Sequence, residues 1–177
     1  DLGQDTDQIV YAGFGSLGNA AIPGLPLTSM IGTSVKRDDS GRPLIDASGN
    51  YASDTDTNFK TNKYALIGDA NPDFIANIGN TLTYGNLSFN FLFNATIGGD
   101  MYSEFIATLL GRGQTIDTVD RELPYVLPGF LADGSPNNKQ IDNATTYFSN
   151  LISGPDELRT WDASVLRLSE VSLTYDI

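Results

Sequence analysis

The chain has 177 residues, a formal net charge of −12, no Cys and no His. Without Cys it cannot form a disulfide framework or a thiolate zinc site, and without His it lacks the commonest general base and metal ligand. The acidic balance argues against a nucleic-acid partner, because phosphate binding needs clustered Lys and Arg side chains. Gly, Asn, Thr, Ser and Asp are abundant and aromatic residues recur at strand-like spacing, which predicts an all-β protein with long loops.

The first third of the chain predicts short strands and turns. Residues 8–14 (QIVYAGF) indicate a strand, and the Gly- and Pro-rich residues 15–27 indicate a loop. Turn-forming residues at 39–41 and 47–50 predict a small hairpin over residues 35–52. The acidic, Thr-rich residues 53–63 are typical of a solvated loop. No basic, apolar leader begins at Asp1, so we expect any signal peptide to lie outside this chain.

Two long alternating segments, residues 74–84 and 87–97, carry the strongest signal. Successive side chains of a strand point to opposite faces, so the alternation predicts one apolar and one polar face on each strand. Asn80 interrupts the apolar face, and Ile75 and Leu92 interrupt the polar one. Gly85 and Asn86 between the segments predict a tight turn. The apolar positions are Phe74, Ala76, Ile78, Leu82, Tyr84, Leu87, Phe89, Phe91, Phe93, Ala95 and Ile97.

The length and polarity of these segments favour lipid over a protein core as the apolar medium. Each is close to the 9 to 11 residues of a tilted membrane strand, whereas strands of soluble domains centre nearer 5 to 6. No charged residue occurs from Phe74 to Ile97. The polar face carries only Asn, Ser, Thr and Gly apart from its two apolar interruptions, which is typical of a face turned toward a wet lumen.

Residues 98–163 form a connection too long for a compact soluble fold unless it has a function. Within it, residues 100–113 predict a short helix with an apolar stripe. We expect Asp100 to cap its N-terminus and Gly111 or Gly113 to end it. Residues 164–177 predict a third alternating strand that stops in mid-pattern, so we expect the chain to be a fragment. Three strands cannot hide their edges in lipid, so the rest of a barrel would come from elsewhere.

Several local motifs have a structural and a functional interpretation. Gly98, Gly99 and Asp100 favour a strand end and a helix cap over a ligand loop. The segment Gly68 to Asp73 favours a Pro-anchored turn over a cation site. Arg167 and Glu170 favour an ion pair within the last strand over a substrate contact. No Asp pair has the spaced oxygen ligands of a calcium loop, so we predict no metal site and no cofactor.

The segment LIGDANPDFIANIGNTLTYGNLSFNFLFNATIGGDMYS resembles a stretch near the C-terminus of SusC/RagA-type TonB-dependent outer-membrane transporters of Bacteroidota. In that family a Gly-Asp-x-Asn-Pro-Asp-Phe element leads into a strand, a tight turn and a strand that ends in Gly-Gly-Asp. The end of the chain, WDASVLRLSEVSLTYDI, is similar to the family's Asp-Ala-Ser-x-x-Arg-Leu-x-Glu-x-x-Leu-x-Tyr strand. The matching residues are Gly68, Asp69, Asn71, Pro72, Asp73, Phe74, Gly98, Gly99, Asp100, Asp162, Ala163, Ser164, Arg167, Leu168, Glu170, Leu173 and Tyr175.

The resemblance implies that residues 1–177 are part of the C-terminal transmembrane β-barrel of a nutrient importer for oligosaccharides or peptides in the bacterial outer membrane. The fold class implied is all-β: a segment of a large antiparallel barrel, about 22-stranded, with long extracellular loops and one short loop helix. Residues 98–163 would be a long extracellular loop. The family's plug domain and most of its strands are not in this chain. The implied partners are a SusD-like lipoprotein lid, the remainder of the barrel, outer-membrane lipid, and the TonB system acting through the absent plug.

Two other classes of function would require different features of the chain. A soluble extracellular β-domain for glycan binding or adhesion would cover its Phe89, Phe91 and Phe93 face with protein. A glycosidase needs two carboxylates about 5 to 9.5 Å apart, and no acidic residue has a recognisable catalytic setting, so we predict no enzyme and no catalytic residue.

The residues predicted to face lipid are Ile78, Leu82, Phe89, Phe91 and Phe93. The candidate substrate-binding residues are Tyr102, Glu104, Arg112, Arg121, Glu122, Asn137 and Asn138, and the polar loop residue Tyr125 is of the same type.

Overall fold

A computed structural model describes residues 8–14, 17–54 and 64–177 of the chain. Strands dominate this part and helices are few and short, which confirms the predicted all-β class. The sheets are open, and the described residues do not form the large barrel expected from the sequence. The strands are β1 Ile9–Phe14, β2 Leu17–Ala21, β3 Ser29–Gly32, β4 Ser34–Val35, β5 Ser53–Asp54, β6 Ala65–Asp69, β7 Phe74–Tyr84, β8 Leu87–Ile97, β9 Asp100–Tyr102, β10 Pro124–Tyr125, β11 Ile141–Asp142, β12 Thr160–Asp162 and β13 Val165–Tyr175.

The three predicted long strands form one antiparallel sheet in the order β13-β8-β7, and each strand has 11 residues. The register places Ile78 opposite Phe93 and Leu82 opposite Phe89. On the other side of β8, Val171 lies opposite Phe91. Because directly paired residues lie on the same face of a sheet, the predicted apolar stripe continues across all three strands. We call it the apolar sheet face, formed by Ile78, Leu82, Phe89, Phe91, Phe93, Leu166, Leu168, Val171 and Leu173.

The turn between β7 and β8 is as tight as the sequence predicted. Tyr84 pairs directly with Leu87, which leaves only Gly85 and Asn86 outside the ladder. Gly85 has a φ of +59°, and no non-glycine residue in the described part of the chain has a positive φ. A positive φ at the first central position alone is the pattern of a type II′ turn, whose twist matches that of the two strands it joins.

The opposite face of this sheet is polar, and a bulge in β13 keeps it so. The register shifts between Leu168 and Glu170, so Ser169 is an extra residue in its strand. This shift leaves Arg167 opposite Asn94 and Glu170 opposite Leu92, both on the polar face. Arg167 and Glu170 both belong to the described residues, and no salt bridge joins them. The predicted ion pair is therefore not formed.

A second sheet has the order β1-β2-β3-β6. The sequence predicted a loop over residues 15–27, which was wrong for β2, because Gly18 and Ala20 pair with β1 and Ala20 is part of a small core. That core contains Ala20, Ile22 and Ile31, with Tyr64 packed against it. A short strand rich in Gly and Ala has little β propensity of its own, so its pairing with both neighbours, rather than its sequence, makes it a strand.

The predicted hairpin over residues 35–52 is present as two turns joined by single bridges. Arg37 bridges to Pro43 and Ile45 bridges to Tyr51. Asp38 and Asp46 each accept two backbone N–H bonds at their turns, the local geometry for which Asp is favoured. Of the predicted solvated loop over residues 53–63, residues 53–54 are in β5, and the remaining residues 55–63 lie outside the described part of the chain.

The predicted helix is α1, Glu104–Gly111, but Asp100 does not cap it. Ser103 is the cap, and its hydroxyl accepts a bond from the Ile106 amide at 3.2 Å. Asp100 is instead in β9, and its carboxylate accepts a bond from the Asp69 amide at 3.0 Å. The prediction failed because the pairing of β9 with β12 extends the strand conformation to Tyr102. A second helix, α2, covers Asn143–Tyr147, and single turns of other helical types cover Ile116–Thr118, Phe148–Ile152 and Asp156–Arg159.

Within the described residues, no helix combines the length and the apolar character needed to cross a membrane.

Candidate functional site

The long connection over residues 98–163 closes at its base on the end of the three-stranded sheet. Its first and last segments pair as β9 and β12, with Trp161 opposite Met101. The Ala163 amide donates to the Gly99 carbonyl at 2.9 Å, and the Gly98 amide donates to the Ser164 hydroxyl at 2.9 Å. The connection is therefore a folded excursion that leaves the sheet and returns to it at one point.

The Gly98 position supports the strand end in the structural interpretation of the Gly-Gly-Asp motif, although its helix cap was wrong, because Ser103 caps α1. Gly98 has a φ of +76°, and a Cβ there would lie 2.3 Å from a carboxylate oxygen of Asp73. Nearby, the Asp69 carboxylate accepts bonds from the Thr28 hydroxyl and from the Asn71 amide, which is the geometry of a turn. The described residues contain no group of three or more acidic side chains placed to hold a metal ion.

An ion-pair network surrounds Arg159 where the excursion returns to the sheet. Arg159 donates to Glu104 at 2.8 Å and to Asp156 at 2.9 Å, and Tyr102 donates to Glu104 at 2.8 Å. Burial, followed by the bond to Glu104, raises the pKa of Tyr102 above its usual value. The structure thus brings together two predicted residues, Tyr102 and Glu104, around Arg159, which the sequence did not single out.

The same segment is bound through its acidic residues to residues 33–37, at the start of the hairpin over residues 35–52, which we call the first hairpin. Asp156 accepts bonds from the amide and the hydroxyl of Thr33, at 3.0 and 2.9 Å. The Glu157 carboxylate accepts a bond from the Val35 amide at 2.8 Å and forms an ion pair with Arg37. Asp156 is buried, with 5% of its surface exposed, so these bonds also satisfy a carboxylate that could not otherwise be buried at low cost.

A cleft of about 480 Å³ lies between the first hairpin and the excursion. Hydroxyl, amide and carboxylate groups line most of it, and the guanidinium of Arg159 is already committed to Glu104 and Asp156. The lining residues are Thr33, Asp46, Asn50, Tyr51, Ser53, Ser149, Ser153, Gly154, Pro155, Asp156 and Arg159. A cleft of this composition offers hydrogen bonds to a neutral polar ligand or a cationic one.

A smaller pocket of about 150 Å³ adjoins this cleft, and Tyr51 lines both spaces. We call it the tyrosine pocket, because three tyrosine rings line it around a mostly apolar floor. Asn150 is buried and separates the two spaces: its amide donates to Asn50 and Thr146, and its carbonyl accepts from the Tyr51 amide. The pocket is lined by Tyr51, Tyr125, Leu127, Thr146, Tyr147, Asn150, Leu151 and Leu158.

The other predicted site residues are dispersed over the excursion. Arg112 and Arg121 line a separate cavity of about 70 Å³, where Arg121 approaches the Gly113 carbonyl at 3.5 Å. Asn137 donates to the Leu127 carbonyl at 2.9 Å, while Glu122 and Asn138 are exposed. The sequence did not identify Tyr51, Tyr147 and Asn150, because no local pattern distinguishes them from other loop residues and only the packing of distant segments joins them.

No protein-family model matches the sequence, and no curated protein sequence matches it.

Proposed function

We propose that this chain is an outer-membrane barrel portion of a SusC/RagA-type TonB-dependent importer. The single observation that carries the proposal is the three-stranded sheet, whose 11-residue strands share one apolar face that Asn80 interrupts and that has no charged residue. This is the strand length and alternation that membrane-spanning strands require. The resemblance of residues 68–100 and 162–175 to the family supplies the second support.

Exposure of the apolar sheet face supports lipid as its medium. Ile78 is 64% exposed, Leu82 is 57% exposed and Leu173 is 66% exposed, and no second sheet of the described chain packs over them. A contiguous apolar surface of this extent is unusual on soluble monomers and indicates contact with a membrane or a partner. Lipid explains the face without a further protein layer.

The opposite face supports a wet interior. Its Asn, Ser and Thr side chains bond to one another across the strands: Asn90 donates to Ser172 at 3.1 Å, and Thr83 and Ser88 lie 3.2 Å apart. Asn94 forms a bond with Asn77 and another with Ser169. In lipid these groups would be costly to bury, whereas in a lumen water completes their hydrogen bonding.

The edges of the sheet require further strands in this proposal. In the described chain β7 and β13 each pair only with β8, so their outer backbone groups are unpaired. Each unpaired group in hydrocarbon costs several kcal/mol, so the remainder of the barrel would pair with both edges. The barrel would have its plug in the lumen, and TonB would act on that plug.

The two ends of the sheet define the orientation in the proposal. The turn at Gly85 and Asn86 is at one end, and the excursion over residues 98–163 is at the other. Outer-membrane barrels keep short turns on the periplasmic side and long loops outside. The cleft and the tyrosine pocket would then face the extracellular medium, below a SusD-like lid, and bind oligosaccharide or peptide cargo.

Cysteine labelling in whole cells tests this proposal, and the chain has no Cys of its own to interfere. In a full-length protein without other accessible cysteines, Asn138→Cys should react with a membrane-impermeant maleimide in intact cells. Asn86→Cys should react only after the outer membrane is permeabilised. Equal labelling of both in intact cells, with release of the protein by a high-salt wash, would instead support a soluble extracellular β-domain.

A further inference from the structure

The tyrosine pocket has the size and lining of a site for one side chain. Its volume is about 150 Å³, which is about five times the share of one water molecule in the liquid. The four methylene groups and the nitrogen of a lysine side chain are five heavy atoms. Leu127, buried at 5% exposure, together with Leu151 and Leu158, provides the apolar surface that such an alkyl stem needs.

Three aromatic rings around an apolar floor favour a cation at the open end. Tyr51, Tyr125 and Tyr147 line the pocket, and no ionised side chain does. The negative faces of aromatic rings attract an ammonium group, and several rings around one cation form the known mode of ammonium recognition. Tyr125, 42% exposed, leaves the pocket open to an incoming ligand.

The charges near the pocket have the sign that attracts a cation. Burial first, and then the negative charge of Asp117, raises the pKa of Tyr147, so this carboxylate acts on the pocket wall. Asp46 lies in the adjoining cleft. The ammonium of Lys139 is bonded to the backbone carbonyls of Asp46 and Ala47, at 3.2 and 2.8 Å, and it does not line either space.

The adjoining cleft suits the polar remainder of the same ligand. It meets the pocket at Tyr51, which lines both spaces, and Asn150 on the pocket side donates to Asn50 on the cleft side at 3.1 Å. The hydroxyls of Ser53, Ser149 and Ser153 also line it, and hydroxyl groups both donate to and accept from backbone amides. The acidic chain would repel anionic ligands, since its net charge is −12.

We propose that the tyrosine pocket binds the ammonium side chain of a lysyl residue in an extended peptide whose backbone lies in the cleft. The pocket can bind this group whether or not the sheet is in a membrane. Only the role of the peptide as transported cargo rests on the proposed function.

Calorimetric titration of the full-length protein tests the inference with Nα-acetyl-lysine N-methylamide as the probe. Nα-acetyl-norleucine N-methylamide, which lacks the charge, and the neutral sugar maltotriose are the comparison ligands. The lysine probe should bind on the order of tenfold more tightly than the norleucine probe, within the range that cation–π contacts provide. Equal binding of the two amino-acid probes would overturn the inference, and so would binding of maltotriose without binding of the lysine probe.

Two substitutions of Tyr147 separate the ring from the hydroxyl. Tyr147→Phe keeps an aromatic face and should retain affinity for the lysine probe within about threefold, whereas Tyr147→Leu should lose on the order of tenfold. Tyr84→Leu, at an exposed tyrosine beside the distant β7–β8 turn, is the matched control and should bind as the unmodified protein does. Unchanged affinity in Tyr147→Leu would overturn the inference.

Folding and localisation controls keep the result decisive. If Tyr147→Leu does not fold, Tyr125→Leu at the exposed rim of the pocket gives the same comparison. Loss of binding by every variant, Tyr84→Leu included, would contradict a specific pocket. If the lysine probe does not bind but the cysteine-labelling pattern is as expected, only the lysyl site is rejected. If the lysine probe binds but the labelling pattern differs from the expected one, only the membrane proposal is rejected.

Discussion

Arg37 donates two hydrogen bonds to the Glu157 carboxylate, one of them 3.1 Å long, although 120 positions separate the two residues. The Val35 amide donates to the same carboxylate at 2.8 Å. These bonds join the first hairpin to the end of the excursion over residues 98–163. They also fix one wall of the cleft, because Asp156, the residue before Glu157, lines it.

Glu157→Gln should loosen this connection by about 1 to 2 kcal/mol, because the ion pair with Arg37 becomes a bond between a cation and a neutral amide, and only one oxygen remains to accept from Arg37 and Val35. The side chains of Arg37 and Glu157 are 43% and 27% exposed, which keeps the effect below that of a fully buried pair. Trypsin should cleave the excursion of the variant faster than that of the unmodified protein. Glu122→Gln, an exposed acid on the same excursion, is the control, and an equal increase in cleavage for both variants would contradict the role of the pair.

Acid should loosen the same connection. Burial alone would raise the pKa of Glu157, but the bonds from Arg37 and Val35 outweigh burial, and the pKa lies below its ordinary value of 4.5. A carboxyl group whose pKa is lowered by folding stabilises the folded state fully above its unfolded pKa. That contribution is lost as the pH falls below about 4.5 through the lower folded value.

Hydrogen–deuterium exchange measures this pH dependence. After correction for the intrinsic rate, exchange of the Val35 amide should accelerate as the pH falls through that window. Glu157→Gln, which cannot titrate, should give a flat corrected profile. A profile of the same shape in both proteins would assign the acid response to another group.

The sequence predicted the elements whose pattern is local and long. Strands β7, β8 and β13 each show an alternation that is visible within one segment. Their existence, and which of their residues share a face, could therefore be predicted, as could the Gly-Asn turn between β7 and β8. The short helix was also predictable, but its cap was not. Asp100 and Ser103 are both good capping residues, and the choice between them depends on the pairing of β9 with β12, a contact between segments about 60 positions apart.

The cleft could not be predicted for the same reason. Its walls come from the first hairpin and from the end of the excursion, and bonds such as that between Asn150 and Tyr51, 99 positions apart, hold them together. Tyr51 and Tyr147 lie in segments whose sequence has no periodicity that would distinguish a pocket from a solvated surface. Of the predicted substrate-binding residues, only Tyr102 and Glu104 form a hydrogen bond with each other. They are two positions apart in the sequence, so this contact needs no distant segment.

Gly85→Ala should destabilise the β7–β8 hairpin by about 1 to 2 kcal/mol, the cost of placing an alanine in the left-handed region. The substitution isolates backbone conformation, because a Cβ at Gly85 would have no heavy atom within 4 Å. Gly85→Asn should cost less, since Asn tolerates a positive φ. Urea denaturation of the refolded protein in detergent measures the three free energies of unfolding.

Gly79→Ala is the matched control within the same hairpin. Gly79 is in the middle of β7 without a positive φ, and a Cβ there would make an ordinary contact with Leu92 at 3.5 Å. It should be neutral or slightly stabilising, because alanine loses less backbone entropy than glycine on folding. A larger loss for Gly79→Ala than for Gly85→Ala would contradict the turn assignment.

The facing of β8 gives the sharpest test of the membrane proposal, because Phe91 and its neighbour Asn90 lie on opposite faces near the middle of the strand. The ring of Phe91 packs between those of Phe89 and Phe93, with centroids 5.8 and 5.7 Å away. Asn90 donates to Ser172 on the polar face. Both side chains are half-buried, so the two positions differ mainly in the medium that they face.

Phe91→Arg should impair assembly of the full-length barrel, because an arginine on the lipid face near mid-membrane costs about 2 to 4 kcal/mol. Asn90→Arg should assemble nearly normally, because its charge stays in water on the lumen side. Phe91→Leu keeps an apolar side chain and shows how much of any loss comes from the missing ring alone. The fraction of protein that migrates as folded, heat-modifiable barrel measures all three variants. If Asn90→Arg lost as much folded barrel as Phe91→Arg, or more, the apolar sheet face would not face lipid, and a protein layer covering the three phenylalanines would become the better explanation.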